Sequence, residues 1–546
     1  MLRAMLFLEL PEDVLRVVLE YVPVEGLVAF EQTCRFARQL VLPMLWGNMF
    51  LNAEPTPSYC QPLPRYIDSE EEGLFYLDEM NLSKRFINVS NPESMDKFFR
   101  ALVATDNTAI VEGLAHVQAI TVYINPFIQK LPMKINGDVD LEEVRSYDSL
   151  QLNWIFQHVI PRFCTGLRRL DLEVTVKETR SQKITQFLAD LLSQKFGGVE
   201  KNFKFVVDGS MDFVSFYKII SDGTCRLLYV FYDYSVYPLI SELIESCSLP
   251  ESVVRFEIGC SSLPDHRLQP AQVANEKFRQ FLSTATKLKA LSISRLAFLS
   301  DEINWVPESV DHLHLFENTD TEPSAIVPSP PTISNITSLD TLLAANCNTF
   351  EKLNLPNLQR LNFFRTTGAD FDGCTSNLFK HSRHIRQVQC KFMTYSQTAS
   401  IVRACGPTLT SLNLESVTHP GPSIDQRVVD LIDALKNTNL RFLKLPLPRY
   451  YGLSQCDLIQ RVITACPKLH CCYLEGSGLE APYLVPVKNT PYYTTDSSSK
   501  ILLDSALLFK LDIQKFADIH SQATRPRYSR ERGCIREDGV LLKDYS

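Results

Sequence analysis

A short pattern, L-x-x-L-x-L, recurs along most of this 546-residue chain and constrains its fold more than any other feature. It is clearest in GLRRLDLEV (Leu167, Leu170, Leu172), TKLKALSIS (Leu288, Leu291, Ile293) and SVDHLHLFE (Val310, Leu313, Leu315). NLQRLNFFR (Leu358, Leu361, Phe363), TLTSLNLES (Leu409, Leu412, Leu414) and NLRFLKLPL (Leu440, Leu443, Leu445) continue it, with weaker copies from Val117, Val253, Ile385 and Leu469. In a strand, residues two apart share a face, so the fourth and sixth positions of each copy point together into a core. Between copies, QTASIVRACG (Ile401, Val402) and VVDLIDALKN (Val428, Leu431, Ile432, Leu435) carry apolar residues at helical spacing. One strand plus one helix, many times over, predicts a stack in which each unit completes its neighbour's core.

The pattern resembles that of leucine-rich repeats, which implies an α/β solenoid of parallel strands and helices over residues 110–485. Two departures mark the array as degenerate. The copies are unevenly spaced, often wider than the roughly 20 to 29 residues of regular repeats. The asparagine or cysteine expected three residues after the last leucine is replaced by Leu296, Thr366, Val417 and Ser477, so no asparagine ladder is expected there. A doubly wound α/β domain stays open, because strand–helix alternation fits it too.

Composition narrows the class. At 45% hydrophobic and 22% charged residues the chain is a folded protein. A net charge of −8 argues against a dedicated nucleic-acid binder. No run reaches the roughly 18 consecutive apolar residues of a membrane span. The 15 cysteines are scattered, with no C-x-x-C pair, and read as small buried hydrophobes in a reducing cytoplasm or nucleus.

Residues 10–46 have a different character. Leu10 and Pro11 open a helix, since proline is tolerated at the first helical position, and Glu12 and Asp13 favour its N-terminal dipole. Val14, Leu15, Val18, Leu19 and Val22 form an apolar stripe that Pro23 ends. Leu27, Val28 and Phe30 follow, then Thr33-Cys34-Arg35 and a closing Leu42-Pro43 and Leu45-Trp46.

The Leu-Pro-Glu-Asp head, the proline-interrupted helices, Cys34-Arg35 and the Leu-Pro-x-Leu-Trp close resemble an F-box, here residues 8–50. F-boxes usually carry an aromatic three residues after the cysteine; Ala37 stands there, with Phe36 one place early. The resemblance implies three helices that dock on a Skp adaptor, and through it a cullin scaffold, by Leu10, Pro11, Val14, Leu15, Val18 and Leu19. It further implies the substrate-recognition subunit of a ubiquitin ligase, with the repeats binding a protein substrate. A non-degradative interaction scaffold is the alternative.

The remaining segments are assigned by composition. Residues 51–109 read as a linker and helical segment, with a solvated acidic run at Asp68, Ser69, Glu70, Glu71 and Glu72. Pro323 to Ser334 reads as a proline-rich loop. A cap is expected over residues 486–523, with a helix from Ile501 to Ile513, and a disordered tail over 524–546 with Arg525, Arg527, Arg530 and Arg532.

No catalytic constellation stands out: G-x-x-x-x-G-K-[ST], G-x-S-x-G and H-E-x-x-H are all missing from the sequence. The expectation is a protein that is not an enzyme and needs neither metal nor cofactor. His312 and His314 share a strand face, as two metal ligands would, but no third ligand is suitably spaced. Strand alternation gives them another use. The positions opposite the core leucines form one surface, with Arg169, Asp171, Arg255 and Glu257 early in the array. His312, His314, Phe316, Arg360, Phe364, Phe442 and Tyr473 concentrate aromatic and charged anchors in its C-terminal half, the candidate substrate site.

Overall fold

A computed structural model describes residues 11–20, 22, 24–52, 85–88, 102, 108–124, 155–177, 192, 195–208, 213–232, 237–260, 272–294, 296–298, 305–316, 332–343, 354–366, 378–390, 393–414, 424–447, 461–462, 464–469, 471–476, 483–486, 533–535 and 541–544. They belong to two compact units, the first holding described residues to 260 with 280–288, the second the others.

The first unit opens with three helices, α1 (Glu12–Glu20), α2 (Val24–Glu31) and α3 (Arg35–Trp46). Cys34 caps α3, its Sγ accepting from the Ala37 N–H at 3.4 Å. Leu15, Leu19, Leu27, Ala37, Leu40, Val41 and Leu45 are buried between the helices. Only Gly47 separates α3 from β1 (Asn48–Asn52), followed by β2 (Arg85–Asn88), α4 (Thr108–Ala115) and β3 (Ala119–Ile124). A π-helical stretch, Ile155–Val159, runs into α5 (Ile160–Phe163) and leads to β4 (Arg169–Lys177). Then come β5 (Glu200–Asp208), α6 (Phe213–Ile220), β6 (Cys225–Tyr232), α7 (Tyr237–Ser246) and β7 (Arg255–Cys260).

These strands form a parallel sheet in the order β2-β1-β3-β4-β5-β6-β7. The repeat pattern therefore begins at Asn48, inside the stretch the sequence assigned to the F-box and a linker, and β1 belongs to the array. The reason is the Gly47 carbonyl, which accepts from both Gln118 and Ala119 N–H groups at 2.8 and 2.9 Å and ties the end of α3 to β3.

The second unit holds β8 (Gln272–Val273), α8 (Asn275–Leu282) as far as Arg279, β9 (Ala290–Ser294), β10 (Ala297–Phe298) and β11 (His312–Phe316). After them run β12 (Ser338–Leu343), β13 (Arg360–Thr366), β14 (Gln387–Cys390), α9 (Tyr395–Cys405), β15 (Ser411–Leu414), α10 (Ile424–Leu435), β16 (Phe442–Leu447) and β17 (Cys471–Gly476). From β9 through β11 to β17 every neighbour pairs in parallel, in chain order. A doubly wound sheet reverses its strand order, and this one does not. The fold is an α/β repeat solenoid.

Register shows why the leucines recur. Leu291, Leu313, Leu339, Leu361, Val388, Leu412, Leu443 and Cys472 fall opposite one another on successive strands. Every one of the seven from Leu291 to Leu443 is buried. In the first unit the matching column reads Ile120, Leu170, Lys201 and Cys225, with a lysine in a leucine's place. Lys201 is fully buried, bonded to the Phe196 carbonyl at 2.8 Å and the Thr224 hydroxyl at 2.6 Å and ion-paired with Asp222.

A polar ladder stands ahead of four of these strands instead of behind them. Asn335, Asn357, Thr408 and Asn439 stand three residues before β12, β13, β15 and β16. Each donates to a carbonyl of the preceding repeat: Asn335 to Pro307 and Val310, Asn357 to Ser334, Thr408 to Ile385 and Asn439 to Pro407. Backbone bonds run beside it, as where the Arg386 carbonyl accepts from Thr410 and Ser411.

Past β17 the pattern changes. β18 (Tyr483–Pro486) pairs antiparallel with β17, and β20 (Leu541–Asp544) pairs antiparallel with β18 and with β19 (Gly533–Ile535). Two strands thus lie within the stretch expected to be disordered, built on Cys534-Ile535 and Leu541-Leu542, apolar pairs overshadowed in the sequence by the arginines. The acidic run at Asp68–Glu72, the helix expected at Ile501–Ile513 and Arg525 to Arg532 lie outside the described residues, as does most of the Pro323–Ser334 loop. Among the described residues no helix is long and apolar enough to cross a membrane.

Candidate functional sites: an apolar helix face and a polar strand face

The stripe on α1 splits into two faces. Leu15 and Leu19 point into the helical core, 0% and 2% exposed. Val14 and Val18 are 41% and 38% exposed, and Pro11 is exposed beside them. Positions 11, 14 and 18 follow the i, i+3, i+7 spacing of one helix face, so they form an apolar row turned to solvent. Glu12 and Arg16 pair across one turn at 2.7 Å and flank it. Of the six residues the sequence marked for adaptor docking, Pro11, Val14 and Val18 are available, Leu15 and Leu19 hold the helices together, and Leu10 lies outside the described residues. Phe36 is exposed at the start of α3 while Ala37 is buried in its place. The shift of the aromatic by one residue, about 100° around a helix, turns it outward.

Side chains also fasten α3 to α2 and α4. Arg38 pairs with Glu112 of α4 at 2.8 Å and lies 4.0 Å from Glu31 of α2. Gly113 faces the Trp46 indole so closely that a β-carbon there would stand 2.3 Å from Cε2.

The second site is the strand face opposite the core of the second unit. Ser292, His314, Asp340, Asn362, Gln389, Asn413, Lys444 and Tyr473 occupy one row across the strands. Ala290, His312, Ser338, Arg360, Gln387, Ser411 and Phe442 occupy the next. Phe316 stands opposite Ser294 and Leu342; Phe364 falls where the β12–β13 register shifts and joins neither row. For Phe316, Phe364, Phe442 and Tyr473 only the backbone position is described.

This face is less open than strand alternation suggests. His312 and His314 are buried, with Ser292, Ser338, Ser411 and Asn413. Strands about 4.8 Å apart bring row neighbours into contact; His314 Nδ1 and the Ser292 hydroxyl lie 3.1 Å apart. Arg360, Asn362, Gln387 and Gln389 remain half-buried. The amide oxygens of Gln387 and Asn413 are buried with no hydrogen-bond partner among the described residues. No sequence pattern marks these two acceptors, which register places on adjacent strands opposite Ser411 and Gln389.

The described cysteines divide by burial. Burial pushes the thiols of Cys164, Cys405 and Cys466 up to about 12 and raises those of Cys225 and Cys390 as well. Such thiols are not nucleophiles near neutral pH.

No curated protein matches the chain. Among solved structures it is similar to a chain in the crystal structure of the Rad7 and Elc1 complex in yeast, at 13% identity and a TM-score of 0.26, over 66% of this chain and 72% of that one. The family model of the F-box domain matches residues 7–44, the segment that contains α1, α2 and most of α3. The chain therefore carries an F-box domain at residues 7–44, joined without a spacer to an array of parallel strand-and-helix repeats.

Proposed function

We propose that this chain is the substrate-recognition subunit of a Skp–cullin–F-box ubiquitin ligase. Its F-box docks on a Skp adaptor, and through it on a cullin scaffold, while the repeats hold a protein substrate. It works in the cytoplasm or nucleus and contributes proximity, not bond chemistry. The observation that carries this reading is the apolar row Pro11, Val14 and Val18, exposed on an F-box helix whose other face is already buried. Exposed apolar rows of this kind gain by burial against a partner. The half-buried Arg360, Asn362, Gln387 and Gln389 on the strand face support substrate binding on the array.

The test is affinity purification of the tagged chain from cells under cullin inhibition, read by mass spectrometry beside the Val14→Asp/Val18→Asp variant. A Skp adaptor and a set of proteins enriched by the inhibition are expected with the wild type, and no adaptor with the variant. An adaptor without any inhibitor-enriched protein would favour a scaffold that delivers nothing. Equal adaptor capture by both chains would overturn the docking face.

A further inference from the structure

One turn of the second unit departs from the acidic balance of the whole chain. The segment Leu378-Phe-Lys-His-Ser-Arg-His-Ile-Arg386 leads into β14, with a helical turn at residues 378–381. Leu378, Phe379, Ser382 and Ile385 are buried, and Ser382 donates to the Leu355 carbonyl at 2.9 Å. That anchoring leaves Lys380, His381, Arg383, His384 and Arg386 all exposed. None of these five side chains takes part in a hydrogen bond or ion pair among the described residues.

The repeat stack extends the patch. The Arg386 carbonyl accepts from the Thr410 N–H, and the Thr410 carbonyl from the Arg441 N–H, both at 2.8 Å. Arg386 and the exposed Arg441 are thus two rungs apart, about 10 Å along the stack. Lys468, also exposed, reaches the same edge and bonds to Asn439 Oδ1 at 2.7 Å. The turns at residues 355–359, 382–386, 406–410 and 436–441 contain no carboxylate at all. Basic side chains gathered on one edge make a local positive potential that attracts an anionic partner.

We propose that this edge, centred on Arg383 and Arg386 and continued by Arg441, is a docking site for an acidic peptide segment of a partner protein. Arginine forks match carboxylates in bidentate geometry, and two rungs span about three residues of an extended chain. A nucleic acid fits less well. Strong phosphate binding takes roughly six to ten contacts on a basic domain, whereas this patch is small and the chain carries a net charge of −8. The site deepens the substrate-binding reading above and takes its biological meaning from it, but peptide binding is measurable whether or not a ligase forms. It lies on the turns, away from the strand face.

The full chain is titrated into a fluorescein-labelled decapeptide of alternating aspartate and glutamate, followed by anisotropy. Binding that weakens with salt is expected, with at least a tenfold loss in Arg383→Glu/Arg386→Glu and a smaller loss in Arg383→Lys/Arg386→Lys, which keeps the charge but not the fork. Lys195→Glu/Lys277→Glu, exposed positions elsewhere, should bind like the wild type, and thermal unfolding checks that each variant folds. Equal affinity of the wild type and the Arg383→Glu/Arg386→Glu variant would overturn the proposal. So would a labelled single-stranded decanucleotide binding more tightly than the peptide at the same ionic strength.

Discussion

Gly113 of α4 and Trp46 at the end of α3 lie so close that the indole fills the space a side chain at residue 113 would take. Gly113→Val gains only a few tenths of a kcal/mol in helix propensity, about the difference between the two residues in a helix interior. Overpacking a filled site typically costs about 1–3 kcal/mol, so the clash wins. A lower denaturation midpoint with an unchanged m-value is expected. A midpoint at or above the wild type would mean that the two helices separate freely.

The two faces of α1 separate docking from stability. Val14→Asp/Val18→Asp changes exposed residues and should shift stability by no more than about 0.5 kcal/mol. Adaptor affinity should fall at least about tenfold, as buried contact area is replaced by charge. Leu15→Ala should instead cost about 2–5 kcal/mol of folding free energy, because its side chain is fully buried. Titration calorimetry with the adaptor and urea denaturation distinguish the two; the same outcome for both variants would sink the division.

Much of the array was legible because leucines at the fourth and sixth motif positions can only be a buried strand face. Leu170, Leu313, Leu361, Leu412 and Leu443 all take the places their spacing predicts. The strands that escaped notice lack the signature. β5 puts Lys201 where a leucine belongs, β6 opens on Cys225, and β12 has Thr341 at its sixth position. β1 escaped because it follows α3 after a single residue, so no turn announces it. The two faces of α1 were indistinct for another reason: a stripe of five apolar residues is wider than the helical core needs, and sequence alone does not say which edge stays wet. The strand face was legible as a row but not as a buried one, since burial depends on neighbours many residues away.

The ladder ahead of the strands predicts graded losses. Asn335 donates to two carbonyls, those of Pro307 and Val310, from a partly buried position. Asn357 makes a single exposed bond to the Ser334 carbonyl at 2.7 Å. Asn335→Ala removes two bonds and leaves the Val310 carbonyl without this donor, while the Pro307 carbonyl keeps the Val310 N–H at 3.1 Å; it should cost about 1–3 kcal/mol, against about 0.5–1.5 kcal/mol for Asn357→Ala. Urea midpoints compare them directly. The reverse order would mean that the side-chain bonds are incidental to the backbone bonds beside them.

The buried lysine gives the most asymmetric expectation. Asp222 accepts from the Thr224 N–H at 3.0 Å and its hydroxyl at 2.7 Å, and its side chain keeps some exposure to solvent. It therefore has other partners if Lys201 is removed. Lys201 is fully buried, and without Asp222 its ammonium keeps, among the described residues, only the neutral Phe196 carbonyl and Thr224 hydroxyl. Breaking a buried pair so that one charge is stranded costs about 3–5 kcal/mol, whereas an apolar residue of similar volume in its place is often close to neutral. Asp222→Ala should accordingly destabilise by about 3–5 kcal/mol. Lys201→Met should cost far less, because it restores an apolar side chain to the column of Ile120, Leu170 and Cys225. Denaturant titrations of the two variants provide the measurement. Equal losses would show that the aspartate depends on the lysine as much as the lysine on it, and that the Thr224 bonds do not compensate.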